Sequence, residues 1–309
     1  MSEKTESLVV SIWCLTYNHE PYIRQCLEGF IMQETNFRFE AIVHDDASTD
    51  GTALIIREYA EKYPDIIKPI YEKENQYSKH DGTLDRIMYA SCKGKYIAMC
   101  EGDDYWIDKD KLQIQVDYLE EHEECGLVHT LAVARENEMS KSYQIRGGRI
   151  DSFSELLITN KIITLTVCIR ESVYEEYLED YNSWQERKDW KMGDYPMWLW
   201  ISKFYEVHFI NKVTGVYRVL NESASHSKSI EKILSFIDSS YQIQLFFANK
   251  YGESTNVKSE LDSNYRKSRI HVFCKNGLYK RALFEIPLLK QKDWAKYILR
   301  IILSCVLGR

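Results

Sequence analysis

The stretch Glu101-Gly102-Asp103-Asp104-Tyr105-Trp106 sets three carboxylates directly after the apolar run Tyr96 to Cys100. At the end of a buried strand such a group repels itself and loses hydration unless a cation sits among its oxygens. Hard oxygen ligands of this kind suit Mg2+ or Mn2+, which typically keep waters and meet substrate phosphates through one or two carboxylates. An acidic turn capping a helix near Lys109 would look the same in sequence.

Two further polar stretches follow apolar runs. His44-Asp45-Asp46-Ala47-Ser48-Thr49-Asp50-Gly51 reads as a turn in which Ser48 and Asp50 cap a helix starting near Thr52. Asp46, at the mouth of a crevice, could instead accept a hydrogen bond from a nucleotide base, although this residue and Tyr17 each also have a purely structural reading. The third stretch is Thr16-Tyr17-Asn18-His19, where Tyr17 offers a flat ring for a base to stack on.

These stretches need a scaffold that brings strand ends together. The first 130 residues alternate apolar, β-branched runs with helical patterns, which predicts a parallel sheet flanked by helices. Strands are expected at Leu8 to Thr16, Phe39 to Val43, Ile66 to Tyr71, Tyr96 to Cys100 and Gly126 to Val133. Helices are expected from about Pro21, then at Thr52 to Tyr63, Leu84 to Cys92 and Lys111 to His122. In open α/β sheets ligands bind beyond the carboxyl ends of the strands, so the three polar stretches converge on one edge. Further on, Ile162 to Ile169 and the region around Val207 to Val219 read as strands, residues 193 to 204 as a loop entering an apolar helix, and residues 229 to 309 as nearly all helical.

Composition narrows the function classes. The 309 residues are 44% hydrophobic and 28% charged, with a net charge of −7, which is the profile of a folded globular chain without the basic field of a nucleic-acid binder. The eight cysteines show no Cys-x-x-Cys pair and read as reduced core residues, neither a disulfide frame nor a zinc site. The polar start MSEKTESLVV lacks a secretion signal, and no run of 18 uncharged apolar residues occurs, so a cytoplasmic location is expected. No phosphate loop of the Gly-x-x-x-x-Gly-Lys type and no Gly-x-Gly-x-x-Gly fingerprint is present. The final stretch WAKYILRIILSCVLGR, with Lys290, Lys292, Lys296 and Arg300 nearby, fits a helix lying on a membrane surface through residues 290 to 309, and equally one packed on the rest of the protein.

The order TYN, DDASTDGT, GKYIAMCEGDDYW and then GDYPMW resembles the family 2 glycosyltransferases, over roughly residues 8 to 220. That resemblance implies a GT-A fold: a Rossmann-like mixed sheet flanked by helices, here with a C-terminal helical extension. It implies a catalytic domain over 1–225, with a nucleotide-binding half (1–130) and an acceptor-binding half (131–225), followed by an extension over 226–309. The implied reaction is inverting transfer of a sugar from a nucleotide-diphosphate donor to a glycan or lipid-linked saccharide, assisted by Mn2+ or Mg2+. Tyr17 and Asp46 fall where members hold the base, and Asp103 falls on the second Asp of the Asp-x-Asp metal motif. Glu101 takes the first position, where Asp is commoner, so a ribose contact and a metal bond are both open to it. Asp104 is the adjacent carboxylate. Asp194 of Gly193-Asp194-Tyr195-Pro196 matches the general base, although it also suits a helix cap. Arg218, in Tyr217-Arg218, is a candidate for the diphosphate, and His226 for the diphosphate or the metal, while Leu220 stands where His often does. Thr164 and Thr166 are candidates for the acceptor pocket. Two alternatives share the acidic site: a sugar-nucleotide nucleotidyltransferase, for which the Gly-rich basic loop is missing, and a non-catalytic nucleotide- or glycan-binding module.

Overall fold

The computed structural model describes residues 7–136, 143–220 and 229–307, with side chains apart from those of 188, 189 and 307. In chain order the elements are β1 (Leu8–Thr16), α1 (Ile23–Ile31), β2 (Arg38–Asp45), α2 (Thr52–Lys62), β3 (Ile67–Tyr71), α3 (Thr83–Ser91), β4 (Tyr96–Met99), β5 (Tyr105–Trp106), α4 (Lys111–Glu121), β6 (Cys125–Arg135) and β7 (Gln144–Arg146). Then come α5 (Phe153–Ile158), β8 (Cys168–Arg170), α6 (Glu171–Ser183), α7 (Asp194–Phe204), β9 (Glu206–Arg218), α8 (Ile230–Lys250), α9 (Thr255–Lys275), α10 (Tyr279–Glu285) and α11 (Trp294–Leu307). The chain divides by packing into two compact units. The first holds residues up to 150, 161–184 and 200–219, and the second holds 151–160, 185–199 and 220–309.

The first unit is built on one mixed sheet, nine-stranded among the described residues, in the order β3-β2-β1-β4-β8-β6-β9-β5 with β7 beside β6. The four strands β3, β2, β1 and β4 run parallel, with Thr16 opposite Asp45 and Asp45 opposite Tyr71, so their carboxyl ends share one edge. Both faces of this half are covered, and β2 is accordingly buried from Phe39 to Asp45 with no polar alternation. Its core gathers Val10, Ile12 and Cys14 of β1 with Leu27 and Phe30 of α1 and Val43 of β2. The turn to antiparallel pairing comes at β8, which lies between β4 and β6.

Three expectations need correction. The first helix begins at Ile23; Pro21 sits in the preceding turn, where the Tyr22 and Ile23 amides both donate to the His19 carbonyl. The run Ile162 to Ile169 is a 3-10 turn at Thr164–Thr166 leading into the short β8, because Gln115 of α4 draws the Thr166 carbonyl out of strand pairing. Trp106, grouped in the sequence with the polar stretch after Cys100, forms β5 with Tyr105 against β9, so the acidic stretch is a tight connection between two strands.

In the second unit, Ile270, Phe273 and Cys274 of α9, Ala282 of α10, and Tyr297 and Ile301 of α11 share a small apolar core. No described helix is long and apolar enough to cross a membrane. All eight cysteines are free thiols, seven of them buried.

Candidate active site

The Glu101–Asp104 turn hangs between fixed points. The Cys100 amide donates to the Trp13 carbonyl at 3.1 Å and the Gly102 amide to that of Leu15 at 2.8 Å, so the turn continues the β1–β4 pairing past the strand end. The Asp104 amide closes back on the Glu101 carbonyl at 3.0 Å. Gly102 is required here, since a Cβ at this position would lie 2.8 Å from Thr16 Cβ and 2.9 Å from His19 Nδ1. Beyond the turn, Trp106 is locked into the core. Its indole N–H donates to the Leu165 carbonyl at 2.8 Å, its ring meets Phe30 edge-on, and the buried Lys111 ammonium lies 4.2 Å from the ring centroid. Burial, which penalises the charged form, brings the Lys111 pKa down to about 8.

The result is a cluster in which Glu101, Asp103 and Asp104 can each present a carboxylate oxygen within 4.8 Å of the others. Glu101 is exposed, Asp103 half-buried and Asp104 fully buried. Burial pushes the Asp104 carboxyl well above the usual range, and the charges of Asp103 and Glu101 push it further; the Arg218 amide and guanidinium oppose this. The acidic turn does not cap a helix: α4 starts at Lys111, and its N-cap residue Asp110 makes no side-chain capping bond.

Arg218, at the end of β9, is the counterpart of this turn. Its amide donates to Asp104 Oδ1 at 2.7 Å and its Nη1 to the Asp103 carbonyl at 2.6 Å, while Nη2 bonds Gln25 Oε1. The guanidinium lies over two rings, 4.3 Å from the centroid of Tyr105 and 5.2 Å from that of Tyr22. Both terminal nitrogens therefore have protein partners, and the side chain holds the turn from beneath.

The neighbouring strand ends are laced together in the same way. The Asn18 amide donates to Ser48 Oγ, the His19 amide to Thr52 Oγ1, and the Thr49 amide to Asn18 Oδ1. Ser48 thus pins the β1–α1 connection and does not cap α2, whereas Asp50 accepts from the Thr52 amide and hydroxyl. Ala47 and Asn18 adopt left-handed backbone, φ 62° and 54°, to make these turns. Tyr17 stands out with 44% of its surface exposed at this edge. Asp46 is buried, its two oxygens taken by the amides of Gln76 (2.6 Å) and Tyr77 (3.0 Å).

Sequence reasoning missed Asp45, which is buried with Oδ1 unpartnered, and His19, whose buried Nδ1 lacks a partner beside Gly102. Burial lowers the His19 pKa, against the raising effect of Asp103. Asp45 could be found in the sequence as the first carboxylate of the same doublet; nothing singled out His19. Thr166 is fully buried with its hydroxyl on the Ile163 carbonyl, so it cannot line a pocket. Asp194 belongs to the second unit, at the first residue of α7, where its Oδ1 accepts the Tyr195 amide at 2.7 Å. The Tyr195 hydroxyl fixes this helix start on the carbonyls of Leu156 and Leu157, both at 3.0 Å. His226 lies outside the described residues.

Residues 11–178, more than half the chain, match Glycosyl transferase family 2. The chain belongs to this family. A putative glycosyltransferase of Bacillus subtilis, EpsE, is 32% identical over 220 residues, spanning 69% of this chain and 73% of the relative. An uncharacterized protein of Mycobacterium tuberculosis is 47% identical over 164 residues, 52% of this chain, and the chain spans only 46% of that relative's length. Among solved structures, TarS 1-349 of S. aureus in complex with UDP-GlcNAc has a TM-score of 0.56 at 16% identity, covering 96% of this chain and 81% of the other. The mannosyltransferase PcManGT of Pyrobaculum calidifontis, in complex with GDP-Man and Mn2+, has 0.56 at 17% identity, covering 97% and 87%. The family 2 chain thus has the GT-A fold, and the acidic turn lies inside the matched segment.

Proposed function

We propose that this chain moves a sugar from a nucleotide-diphosphate donor to a saccharide or lipid-linked saccharide acceptor, in one inverting displacement. The observation that carries this reading is the carboxylate trio at the end of β4, in a chain whose family is glycosyl transferase family 2. The trio fits a divalent cation, Mn2+ or Mg2+, because a buried carboxyl crowded by two others is unfavourable until positive charge compensates it. Asp103 and Asp104 are the ligands in this reading, with Glu101 on the ion or on the ribose and His226 a further candidate. When bound, the ion supplies positive charge to the donor's diphosphate.

The chain's own groups do the rest. Tyr17 covers the base, and Asp46 with its neighbour Asp45 accepts from the base edge; each Asp46 oxygen keeps a lone pair after its amide bond. Arg218 keeps the turn rigid and adds positive charge beneath it. Asp194 takes the proton of the attacking acceptor hydroxyl as the anomeric carbon changes partners. Bound UDP-GlcNAc and GDP-Man in the structural neighbours support a nucleotide-sugar donor without choosing among them. Residues 1–225 form the catalytic domain in this reading, and 226–309 an extension.

The test is a thermal-shift screen of UDP, GDP and their sugar conjugates with Mn2+ or EDTA, since a ligand that binds only the folded state raises its stability. One nucleotide should stabilise the protein in a metal-dependent way, and Asp103→Ala should abolish the shift. Asp194→Asn should keep the shift and lose transfer, because a base acts only in the transition state. Stabilisation by no nucleotide, or normal transfer by Asp194→Asn, would refute the donor site or the base respectively.

A further inference from the structure

The sequence leaves two fates open for the C-terminal amphipathic run, and the structure gives each of them one face of the same helix. On α11, Tyr297 and Ile301 turn inward to the small core formed with α9 and α10, and the Tyr279 hydroxyl bonds the Ser304 carbonyl at 2.9 Å. The opposite side carries Ile298, Leu299, Ile302, Leu303 and Val306, all exposed, with Leu299 at 57% and Val306 at 76%. Single exposed apolar residues are ordinary, but an uninterrupted run of large ones on one helix marks an interaction surface. The neighbouring α10 repeats the pattern: Ala282 and Glu285 are buried, while Leu283 and Phe284 face out, Phe284 at 80%.

Charge identifies the partner. Near this face, Asp293 is neutralised by Lys267 at 2.9 Å and Lys290 is paired with Glu260 at 2.6 Å. Lys292 and Lys296 form no ion pair among the described residues. A chain with a net charge of −7 therefore presents a local excess of positive charge beside this exposed apolar helix, with Lys267, Lys290, Lys292 and Lys296 set against Glu260 and Asp293. Apolar side chains flanked by lysines match a bilayer interface with anionic headgroups, where the former enter the acyl boundary and the latter meet phosphates. The described part of the helix, fourteen residues at about 1.5 Å each, lays about 21 Å of this face along such a surface.

We propose that α11 docks this protein on an anionic lipid surface, with Ile298, Leu299, Ile302, Leu303 and Val306 inserted and Lys292 and Lys296 on the headgroups.

Flotation of the full chain with phosphatidylglycerol-containing vesicles, against pure phosphatidylcholine vesicles, tests this. The chain should float with the anionic vesicles and remain below with the neutral ones. The double variant Leu299→Glu/Leu303→Glu should lower the partition coefficient by about tenfold or more. Its melting curve should be unchanged, since both side chains are exposed. Lys292→Glu/Lys296→Glu should weaken binding several-fold and remove most of its salt dependence. Three results would overturn the proposal: no flotation of the wild type, equal flotation of the leucine variant, or a wild-type dimer in solution that the leucine variant splits, which would make a second copy the partner. Nucleotide-dependent thermal stabilisation should survive in the leucine variant, so failure here is separable from failure of the donor site.

Discussion

Replacing Asp104 by asparagine should make the metal-free protein more stable and the metal-bound protein less so. Two like charges 4.8 Å apart repel by about 3 kcal/mol at an effective dielectric constant of 20, and Asp104 faces two of them. A carboxyl whose pKa is raised can relieve this repulsion by taking up a proton, so the cost of protonation caps the penalty. Holding a carboxyl of ordinary pKa ~3.9 neutral at pH 7 costs about 4 kcal/mol. The sign follows from proton binding. Burial and the neighbouring carboxylates raise the folded-state pKa, so between about pH 4 and that raised pKa the folded state holds a proton that the unfolded state has lost, and stability falls as pH rises. Asp104→Asn removes this slope while keeping an Oδ1 acceptor for the Arg218 amide, bonded at 2.7 Å. Urea denaturation in EDTA should show a gain that grows from nearly zero at pH 4 to at most about 4 kcal/mol at pH 7. In Mn2+ the wild type should gain stability that the variant does not. A variant less stable than wild type at pH 7 in EDTA, with an undiminished Mn2+ shift, would refute the reasoning: the cluster would then be neither strained nor a cation site.

Gly102→Ala forces a Cβ to within 3 Å of Thr16 and His19, so it should displace the acidic turn and lower the metal-dependent nucleotide shift, measured by calorimetric titration. Ala47→Gly frees a left-handed residue at φ 62° and should raise the melting temperature, by no more than about 1 kcal/mol of stability, without changing nucleotide affinity. His129, buried against Phe209, is held neutral by burial and by the charge of His208, its pKa brought down to about 4. Here the unfolded state takes up the proton first, so stability should fall as pH drops below about 6.5, by about 3 kcal/mol at pH 4. His129→Leu should flatten that limb of the stability-against-pH curve, and an unchanged limb would assign it to other groups.

Local pattern carried the sequence reading where one element is enough to decide the outcome. The bounds of β1 are legible to the residue because nine consecutive apolar or small residues end at the polar Tyr17-Asn18. The carboxylate turn is legible because acidic residues after a buried strand have few explanations. What one sequence does not display is which partner a side chain finds from far along the chain. Gln115 of α4 takes the carbonyls of Val128 and Thr166, which breaks the expected strand at 162–169. Asp46 is tied to amides 30 and 31 residues away, which leaves Asp45 as the neighbour with an unpartnered oxygen. Arg218 is similar: its residue type pointed to phosphate, yet its fork is taken by Asp103 and Gln25.

The position of Arg218 explains how the turn tolerates its own charge. A loop of three carboxylates would relax by swinging outward into water, and a relaxed loop would have to be reassembled at each binding event, at an entropic cost. Here that route is closed on every side. The amides of Cys100 and Gly102 are fixed on β1, Tyr105 and Trp106 are paired with β9, and Arg218 grips both the Asp103 carbonyl and, through its amide, the Asp104 carboxylate. Arg218 compensates part of the negative charge but cannot cancel it, because three carboxylates face one guanidinium. The surplus of acidic charge is therefore held in place without being neutralised. That is the condition under which a cation meets a site already shaped for it, so that little of the binding energy goes into ordering the loop. Arg218→Lys keeps the charge and loses the fork; it should leave Asp104 compensated but the turn mobile, weakening metal-dependent nucleotide binding more than it lowers the melting temperature.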